Sequence, residues 1–306
     1  MILFTGLGGL TGGALADRLI RERYAGPVRL LSRSRSARDK LIAGGISCEE
    51  MMGDIRHEET LKKAMQGVHI VCHLAAKERQ DLIARAAAES GCVRRVIMIS
   101  STSIFSRYYK TQIVRDKEEA AITLLQQAGI EYTILRPTMI FDGVSDKNIR
   151  KFAAMVRKLP VMPIVGGGKA LLQPVHKCDL ADACWRVINH PEESRNQIYT
   201  VSGHAPMPLR DMLTTLARVQ GKKIRFINIP MPLAVAAVRL AYVCSLRKID
   251  YREQIFRLCE DRAFDHDEIS RQLGYQPEPF ETRLRQTLKQ ATTPTQATTP
   301  TKEGDQ

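Results

Sequence analysis

Apolar residues follow two different spacings along about the first 200 residues of the chain. Short, nearly continuous apolar runs alternate with segments in which apolar residues recur every three or four positions. The runs are typical of strands buried in a parallel sheet, and the second spacing is typical of helices packed against one. The predicted strands cover 1–4, 27–31, 47–52, 68–76, 95–100, 132–135 and 197–201, and the predicted helices start near residue 10 or cover 37–43, 58–65, 81–90, 115–128 and 179–188. This alternation predicts an α/β fold with a doubly wound parallel sheet.

The pattern loosens after residue 143, which predicts a division into two units. A core of residues 1–143, to which 170–203 return, holds the sheet, and 144–169 with 204–290 form a smaller C-terminal α/β substrate lobe. The lobe is predicted to contain a basic helix at 146–158 and segments at 207–219, 224–229, 232–246 and 268–273. The tail 291–306 repeats ATTPT and lacks apolar anchors, which predicts disorder.

Composition restricts the function only weakly. A hydrophobic content of 44% is ordinary for a globular protein, and because the first strand begins at residue 1 we expect no signal peptide. The seven cysteines are scattered without a C-x-x-C pair, so neither a disulfide framework nor a zinc site is indicated. We therefore expect a cytoplasmic protein without a metal site.

The net charge of +13 suits an anionic ligand, a nucleic acid or a membrane surface. No basic tract is interleaved with aromatic residues, so solvated helix faces are favoured over nucleic-acid binding. The apolar stretch 232–246 contains Arg239 and is too short to span a bilayer, which needs about 20 apolar residues. It is interpreted as a helix that covers the substrate cleft or a face of a homodimer, and a membrane-surface helix is the less favoured alternative.

Three glycines join the first strand to the first helix. Gly6, Gly9 and Gly12 have the spacing G-x-x-G-x-x-G. In a dinucleotide-binding loop the first glycine permits a tight turn, the second lets the backbone approach the diphosphate, and the third permits close packing of the helix. The helix that starts at Leu10 then offers unpaired N–H groups to the phosphates. The segment predicts a dinucleotide site and a Rossmann-type sheet.

The second predicted strand is followed at once by Ser32-Arg33-Ser34-Arg35. An Asp or Glu at this place typically binds a free ribose 2′-hydroxyl, whereas a 2′-phosphate requires cations and hydroxyl groups. Ser32, Arg33 and Arg35 provide the second kind of site, so NADP(H) is favoured over NAD(H). The alternative is that both arginines are ordinary surface charges.

Further candidate cofactor residues lie at the ends of the next two predicted strands. Asp54, beside Ile55, is placed either to accept a hydrogen bond from the adenine amino group or to cap the helix at 58–65. The next strand contains His73, interpreted as a packed core residue. It ends in small or apolar residues that leave room for a nucleotide, namely Leu74, Ala75 and Ala76.

Hydroxyl residues follow the strand 95–100. Ser101 and Ser103 are expected at the carboxyl edge of the sheet, where open α/β sheets bind their ligands. Turn chemistry explains a serine-rich strand end equally well. Pro137 and Ile140, which follow the next strand, are expected near the same edge.

Several motifs together resemble the extended and atypical short-chain dehydrogenase/reductase superfamily. They occur in the family's order over roughly residues 1 to 290: Thr5-Gly6-x-x-Gly9-x-x-Gly12, Asp54, His73-Leu74-Ala75-Ala76, Ser100-Ser101, Leu135-Arg136-Pro137, Gln173-Pro174-Val175-His176-x-x-Asp179 and Leu273-Gly274-Tyr275-x-Pro277. The pattern looks most like the branch that contains the NAD(P)-binding accessory subunit of respiratory complex I, whose bacterial relatives are called epimerase/dehydratase-like.

One departure from that family concerns the acid/base tyrosine. Active members carry a Tyr four residues before a Lys, and the Lys lowers the phenol pKa and holds the nicotinamide ribose. Lys117 matches the lysine, but Ile113 occupies the tyrosine position. Tyr108 or Tyr109 could serve as a displaced acid, or each could be a loop aromatic.

The resemblance implies an NADP(H)-binding, epimerase/dehydratase-like oxidoreductase that acts on a nucleotide-sugar-like, polyketide-like or other small anionic substrate. In that reading Lys117 holds the ribose, Ser101 or Ser103 polarises the reacting carbonyl group, and Tyr109 or water carries the proton. The alternative is a non-catalytic NADP(H)-binding sensor, scaffold or assembly module.

Overall fold

The computed structural model describes residues 1–75, 77–106, 109–146, 148–244 and 260–292, with side chains described except at 109–111, 238–244 and 290–292. The main sheet contains seven parallel strands in the order β11-β6-β5-β4-β1-β2-β3. These strands are β1 (Ile2–Thr5), β2 (Val28–Ser32), β3 (Cys48–Met52), β4 (Ile70–His73), β5 (Arg95–Ile99), β6 (Glu131–Pro137) and β11 (Gln197–Val201). The doubly wound parallel sheet predicted from the apolar spacing is confirmed.

Helices cover both faces of this sheet. They are α1 (Leu10–Arg21), α2 (Ser36–Ala43), α3 (Glu58–Met65), α4 (Gln80–Ser90), α5 (Tyr109–Gln127) and α7 (Lys177–Asn189). Two apolar clusters fill the layers between helices and sheet, one around Phe4, Leu15 and Tyr199 and the other around Leu3, Val96 and Leu125. Chain order reverses between β1 and β4, and ligands of open α/β sheets bind at such a reversal.

A smaller group of elements lies beyond the sheet. It consists of β7 (Ile140–Phe141), α6 (Ile149–Lys158), β8 (Val161–Val165), β9 (Leu171–Leu172), β10 (Val175–His176), β12 (Met207–Pro208), α8 (Leu209–Val219), β13 (Arg225–Ile229) and α9 (Met231–Cys244). Helix α10 (Asp267–Leu273) packs instead on the first apolar cluster, through Ile269 and Leu273, whereas α11 (Phe280–Thr292) belongs to the smaller group. A third apolar cluster around Phe141, Leu213 and Phe280 packs many of these elements together. The division at residues 143 and 204 stays a prediction.

Two helix starts differ from the predicted ones. Helix α5 begins at Tyr109 instead of Arg115, because Val114 is buried against the core and packing outweighs the weak helix propensity of β-branched residues. Helix α6 begins at Ile149 instead of Asp146, since the Asp146 carboxylate accepts the N–H of Asn148 at 2.9 Å and of Ile149 at 2.6 Å. Side chains of this kind occupy helix ends more often than helix interiors.

Two expectations extend past the described chain. The apolar stretch 232–246 forms the helix Met231–Cys244, and its last two residues lie outside the described residues, as does the tail from 293. No described helix has the length and apolar character that crossing a membrane requires.

Candidate cofactor and active site

The glycine loop between β1 and α1 is closed by contacts that only glycine permits. Gly6 has φ +82°, and a Cβ there would lie 2.7 Å from Ala75 Cβ and 2.8 Å from Ala75 N. A Cβ on Gly12 would lie 2.3 Å from Gly6 O and 2.5 Å from Leu7 Cα. All four distances are shorter than the contacts that real Cβ atoms make. Gly12 therefore lets helix α1 pack closely on the loop. Gly6 lets the loop pack on Ala75, which follows β4.

Gly9 has a different environment from the other two glycines. Among the described residues a Cβ on Gly9 would meet only Gly6 O, at 3.2 Å, and Gly9 itself is exposed. Gly9 precedes Leu10 as the N-cap of α1, with no side-chain cap and no acidic residue in the first turn. The open side of the loop thus faces solvent with the free N–H groups of a 12-residue helix, which fits a diphosphate.

The residues after β2 lie beside the glycine loop. A Cβ on Gly8 would be 3.8 Å from Ser36 Oγ, and Ser36 Oγ lies 3.1 Å from Ser34 Oγ. Ser32 Oγ donates to Ser34 O at 2.6 Å, which stabilises the turn. The sequence analysis does not include Ser36 among the site residues. Serines at the alternate positions 32, 34 and 36 are the sequence feature that indicates a cluster of hydroxyl groups here.

Arg33 and Arg35 are both largely exposed. Arg33 is 4.0 Å from the Asp54 carboxylate and Arg35 is 3.7 Å from the Glu50 carboxylate. Neither distance corresponds to a strong hydrogen bond. The two guanidinium groups are therefore available to an anion beside the glycine loop.

Asp54 is held by Arg56. The Arg56 guanidinium donates to Asp54 Oδ2 at 2.8 and 3.0 Å, and the Arg56 N–H donates to Oδ1 at 2.9 Å. Hydrogen bonds from the Arg56 side chain and backbone lower the pKa of Asp54 to about 2. The N-cap of α3 is His57, so the capping alternative for Asp54 is wrong. Ile55 is half-buried and packs on the core, and a role for either residue with adenine stays a prediction.

A cavity of about 910 Å³ lies at the carboxyl ends of β4, β5 and β6. Six predicted site residues line it: Leu74, Ala75, Ser101, Ser103, Pro137 and Ile140. Because Gly6 packs on Ala75, the cavity adjoins the glycine loop. Ala76 lies outside the described residues. One continuous surface therefore runs from the serines after β2, past the glycine loop, into the cavity.

The hydroxyl groups after β5 have different partners. Ser101 Oγ accepts the N–H of Ser103 at 3.1 Å and so stabilises the short turn that follows the strand. Ser103 Oγ lies 3.4 Å from the ammonium group of Lys77, which also lines the cavity. Ser100 Oγ is buried at the cavity wall and has no hydrogen-bond partner among the described residues. Lys77 and Ser100 are candidate functional residues that sequence reasoning missed.

His73, at the end of β4, is buried, and its Nδ1 lies 2.6 Å from Thr5 Oγ1 on the neighbouring strand. The interpretation of His73 as a core residue agrees with this position.

Lys117 lies against α4 instead of the cavity. Its ammonium group donates to Asp81 Oδ2 at 2.7 Å, and it is not among the residues that line the cavity. Ile113, one turn earlier on α5, is half-exposed. Tyr108 lies outside the described residues, and the side chain of Tyr109 is not described. Roles for Lys117 and Tyr109 in binding or proton transfer stay predictions.

Gln173 fixes the far wall of the cavity. Its side chain is buried, with Nε2 donating to Ser202 Oγ at 2.9 Å and to Gly203 O at 2.8 Å. Its Oε1 accepts the N–H of Phe264 at 2.9 Å, and Phe264 also lines the cavity. One amide group therefore joins three segments that are far apart in sequence.

His176 connects the sheet region to the last helix. Its Nδ1 accepts the N–H of Cys178 at 3.3 Å as the N-cap of α7, and its Nε2 lies 3.0 Å from Thr287 Oγ1 on α11. An Nδ1 that accepts requires the proton on Nε2, which then donates to Thr287. Burial, with help from the nearby charges of Arg283 and Lys177, lowers the pKa of His176 to about 3.

A buried carboxylate closes the loop after β7. Asp142 accepts the Ser145 hydroxyl and the N–H groups of Val144, Ser145 and Asp146. Burial raises the pKa of this carboxyl, but these hydrogen bonds outweigh burial and hold the pKa well below its usual range. Lys177 at 3.3 Å adds an ion pair, so the loop that leads into α6 is firmly positioned.

Comparison with known proteins agrees with this geometry. The NAD(P)H-binding family model matches residues 6–191. The chain is 26% identical to the 4-hydroxy-2-methyl-3-oxo-4-farnesyl-3,4-dihydroquinoline-1-oxide ketoreductase of Stigmatella aurantiaca over 89% of this chain and 90% of that protein. It is 26% identical to the (4-alkanoyl-5-oxo-2,5-dihydrofuran-3-yl)methyl phosphate reductase of Streptomyces griseus over 79% of this chain and 82% of that protein.

The predicted likeness to a complex I subunit is confirmed. The chain is 26% identical to the NADH dehydrogenase (ubiquinone) 1 alpha subcomplex subunit 9, mitochondrial, of Arabidopsis thaliana over 61% of this chain and 49% of that protein. The chain therefore spans about half the length of this relative.

Solved structures share the fold. A NADPH-dependent quinone oxidoreductase from Escherichia coli superposes with a TM-score of 0.70 and 19% identity over 95% of this chain and all of that chain. The dTDP-glucose 4,6-dehydratase from Streptomyces venezuelae gives 0.68 and 18% over 94% and 95%. The chain therefore shares the fold of these solved reductase and dehydratase structures.

Proposed function

Because the chain belongs to the NAD(P)H-binding family, we propose that it is an NADP(H)-dependent reductase of the epimerase/dehydratase-like type that acts on a carbonyl group in a small anionic substrate. The observation that carries the proposal is the Lys77–Ser103 pair, an ammonium group 3.4 Å from a hydroxyl in the cavity beside the glycine loop. Both groups can donate a hydrogen bond to a carbonyl oxygen.

The residues around the glycine loop fit the nucleotide. The open side of Gly9 and the start of α1 would hold the diphosphate, and Leu74 and Ala75 would border the nucleotide as it enters the cavity. Arg33 and Arg35, with the hydroxyl groups after β2, would hold a 2′-phosphate, which supports NADP(H) over NAD(H).

The bound nicotinamide would supply a hydride to the carbonyl carbon. In our proposal the Ser103 hydroxyl donates to the substrate oxygen and orients it. The Lys77 ammonium stabilises the negative charge that develops on that oxygen, and it then releases one proton to form the alcohol. Neither step needs a tyrosine at position 113.

The cavity wall supports a substrate with an apolar body and an anionic group. Phe105, Phe152 and Phe264 contribute aromatic surface. The cations Lys77, Lys151 and Arg262 line the cavity together with the carboxylates Glu78, Glu260 and Asp261. Because Arg262 lies 3.8 Å from Glu260, the anionic group is assigned in our proposal to Lys151. Two reductase relatives act on compounds whose names include a farnesyl group and a phosphate group. A polyketide-like keto acid satisfies both requirements, and a nucleotide sugar satisfies the anionic one.

Loss of NADPH absorbance during incubation with a substrate panel tests this function. The panel contains β-keto acids, β-keto thioesters and 4-keto nucleotide sugars. We expect turnover of a keto compound by the wild type, and loss of turnover with retained NADPH affinity in Ser103→Ala. Turnover that is unchanged in both Ser103→Ala and Lys77→Met would contradict the proposed site.

The alternative is a non-catalytic NADP(H)-binding module. It is favoured by Ile113 at the tyrosine position and by the Lys117–Asp81 ion pair, which holds that ammonium group away from the cavity. NADPH binding in calorimetry without turnover of any panel compound would support the module.

A further inference from the structure

We propose that the small β8–β13 sheet is a membrane-docking surface that binds anionic lipid. No residue of β8 or β13 lines the cavity, and this inference does not rest on the proposed reductase function. We define the apolar face as Leu159, Val161, Pro163, Ile227 and Leu233, and the basic edge as Arg157, Lys158, Lys222, Lys223 and Arg225.

The register of the two strands places apolar side chains on one solvent-exposed side. Met162 and Ile164 of β8 are buried in the third apolar cluster, so the alternating residues Val161 and Pro163 point to the opposite side. Pro163 pairs with Ile227 of β13, and directly paired residues of neighbouring strands share a face.

This face is exposed to an unusual degree for apolar residues. Ile227 is 59% exposed and Val161 is 38% exposed. Leu159 precedes β8, and Leu233, at 62% exposed, lies just after β13 at the start of α9. Contiguous exposed apolar surface on a soluble protein marks an interaction site more often than chance.

Exposed cations gather at one end of the apolar face. Arg157 and Lys158 end α6 immediately before β8, and Lys222 and Lys223 immediately precede β13. The two strands are parallel, and Arg225 N donates to Pro160 O at 3.1 Å, so both amino ends meet at the same edge. Five exposed positive side chains therefore border the apolar surface.

The charge balance of the region decides between possible occupants. Residues 149–169 and 204–237 contain ten Lys or Arg and a single acidic residue, Asp211. One of the ten, Arg218, pairs with Glu281 of α11 at 2.8 Å, and the five residues of the basic edge are not part of that pair. A second copy docked on the same face would add a second basic edge to the interface without any acidic partner for either edge, which like-charge repulsion opposes. A membrane with anionic headgroups attracts the basic edge, and apolar side chains beside it can enter the acyl boundary.

Sedimentation of the full chain with vesicles tests this inference. Vesicles of phosphatidylcholine are compared with vesicles that also contain phosphatidylglycerol. We expect wild-type protein to sediment with the anionic vesicles, to be released by high salt, and not to sediment with phosphatidylcholine alone. Absence of binding to the anionic vesicles would overturn the proposal.

Two variants assign the surface. Ile227→Asp is expected to weaken vesicle binding at least tenfold and to keep wild-type NADPH affinity, which reports folding. Ile42→Asp is the matched control, because Ile42 is similarly exposed at 53% but lies on α2. Equal binding by Ile227→Asp and wild type would refute the assignment.

A charge-reversed variant keeps the test decisive if Ile227→Asp fails to fold. Lys222→Glu combined with Lys223→Glu changes only exposed residues before β13 and is expected to abolish binding to anionic vesicles. Unchanged binding would overturn the proposal. A wild type that is dimeric in solution and becomes monomeric in Ile227→Asp would instead identify a second copy as the occupant.

Discussion

The two halves of the proposed dinucleotide site are built in different ways. At the glycine loop, backbone geometry determines the shape, since Gly6 and Gly12 are fixed by contacts that exclude any Cβ. In the cavity, side chains from distant segments determine the shape, and Gln173 alone bridges to Ser202 and to Phe264. The first half tolerates almost no substitution at Gly6 and Gly12, whereas the second can change its chemistry by exchanging side chains on the same backbone.

The largest effect is expected from a substitution in the glycine loop, the half of the site that backbone geometry shapes. Gly9→Val places a branched side chain on the open side of the loop, where the diphosphate approaches in our proposal. In the described part of the chain the only atom near that Cβ is Gly6 O, at 3.2 Å. We expect NADPH binding to be lost in calorimetry while the fold persists. Gly13→Val is the control, because a Cβ on Gly13 meets nothing within 4 Å. Equal NADPH affinity of Gly9→Val and wild type would remove the basis of the cofactor site.

The second effect distinguishes the roles of Lys77, which lines the cavity, and Lys117, which does not. Lys77→Met removes the ammonium group beside Ser103, and we expect kcat to fall ~10²–10⁴-fold, the usual contribution of a positioned acid, with NADPH affinity retained. Lys117→Met removes a partner of the buried Asp81 carboxylate and is expected to leave kcat nearly unchanged, with a stability loss of about 1–3 kcal/mol.

The reverse result would favour the arrangement implied by the family resemblance, in which Lys117 holds the nicotinamide ribose. If Lys117→Met reduces NADPH affinity and kcat while Lys77→Met does not, then Lys117 leaves Asp81 to hold the ribose. Tyr109→Phe would then be the test of the displaced tyrosine, since it removes only the phenolic proton and keeps the ring.

The two halves also differ in how far the sequence predicts them. The glycine loop and the serines and arginines after β2 are local motifs, so their positions follow from a strand and a helix that are adjacent in sequence. Lys77 and Ser103 are 26 residues apart. Their encounter could have been predicted from the neighbouring strands β4 and β5, whose carboxyl ends precede these residues.

The remaining contacts could not be predicted in this way. Gln173 meets the N–H of Phe264 across 91 residues, and neither residue lies on a strand of the main sheet. The ion pair of Lys117 with Asp81 depends on how α4 and α5 pack, which apolar periodicity does not determine. Side-chain pairing between helices is set by tertiary packing, and a single sequence shows only the spacing along each helix.

The third effect concerns the contact between α7 and α11. The folded protein keeps His176 neutral, because burial lowers its pKa from 6.5 to about 3. As the pH falls below 6.5, His176 binds a proton in the unfolded chain but stays neutral in the folded chain. The free energy of unfolding therefore decreases progressively between pH 6.5 and about 3. Between pH 6.5 and 4.5 we expect the free energy of unfolding to fall by ~2 kcal/mol from this residue.

Urea unfolding at several pH values measures this loss. His176→Asn keeps a side-chain acceptor for the Cys178 N–H but removes the ring, so it should be less stable at pH 7 and less pH-dependent than wild type. Burial also lowers the pKa of His266, so only the difference between variant and wild type reports His176. An unchanged slope in His176→Asn would contradict the assignment.

The last effect concerns the cofactor's 2′-phosphate, between the serines after β2 and the glycine loop. Arg33 and Arg35 have only long contacts to carboxylates, so each can form a charge-assisted hydrogen bond of about 1.5–3 kcal/mol to a phosphate. Arg33→Ala and Arg35→Ala should each weaken NADPH binding roughly ten- to a hundredfold and leave NADH binding unchanged. Arg21→Ala, at an exposed arginine on α1, is the control. Equal losses of affinity for NADPH and NADH would indicate that the two arginines stabilise the loop and do not bind the 2′-phosphate. A wild type that prefers NADH would show that the hydroxyl and guanidinium groups after β2 are surface residues, and that the backbone-built half recognises only the diphosphate.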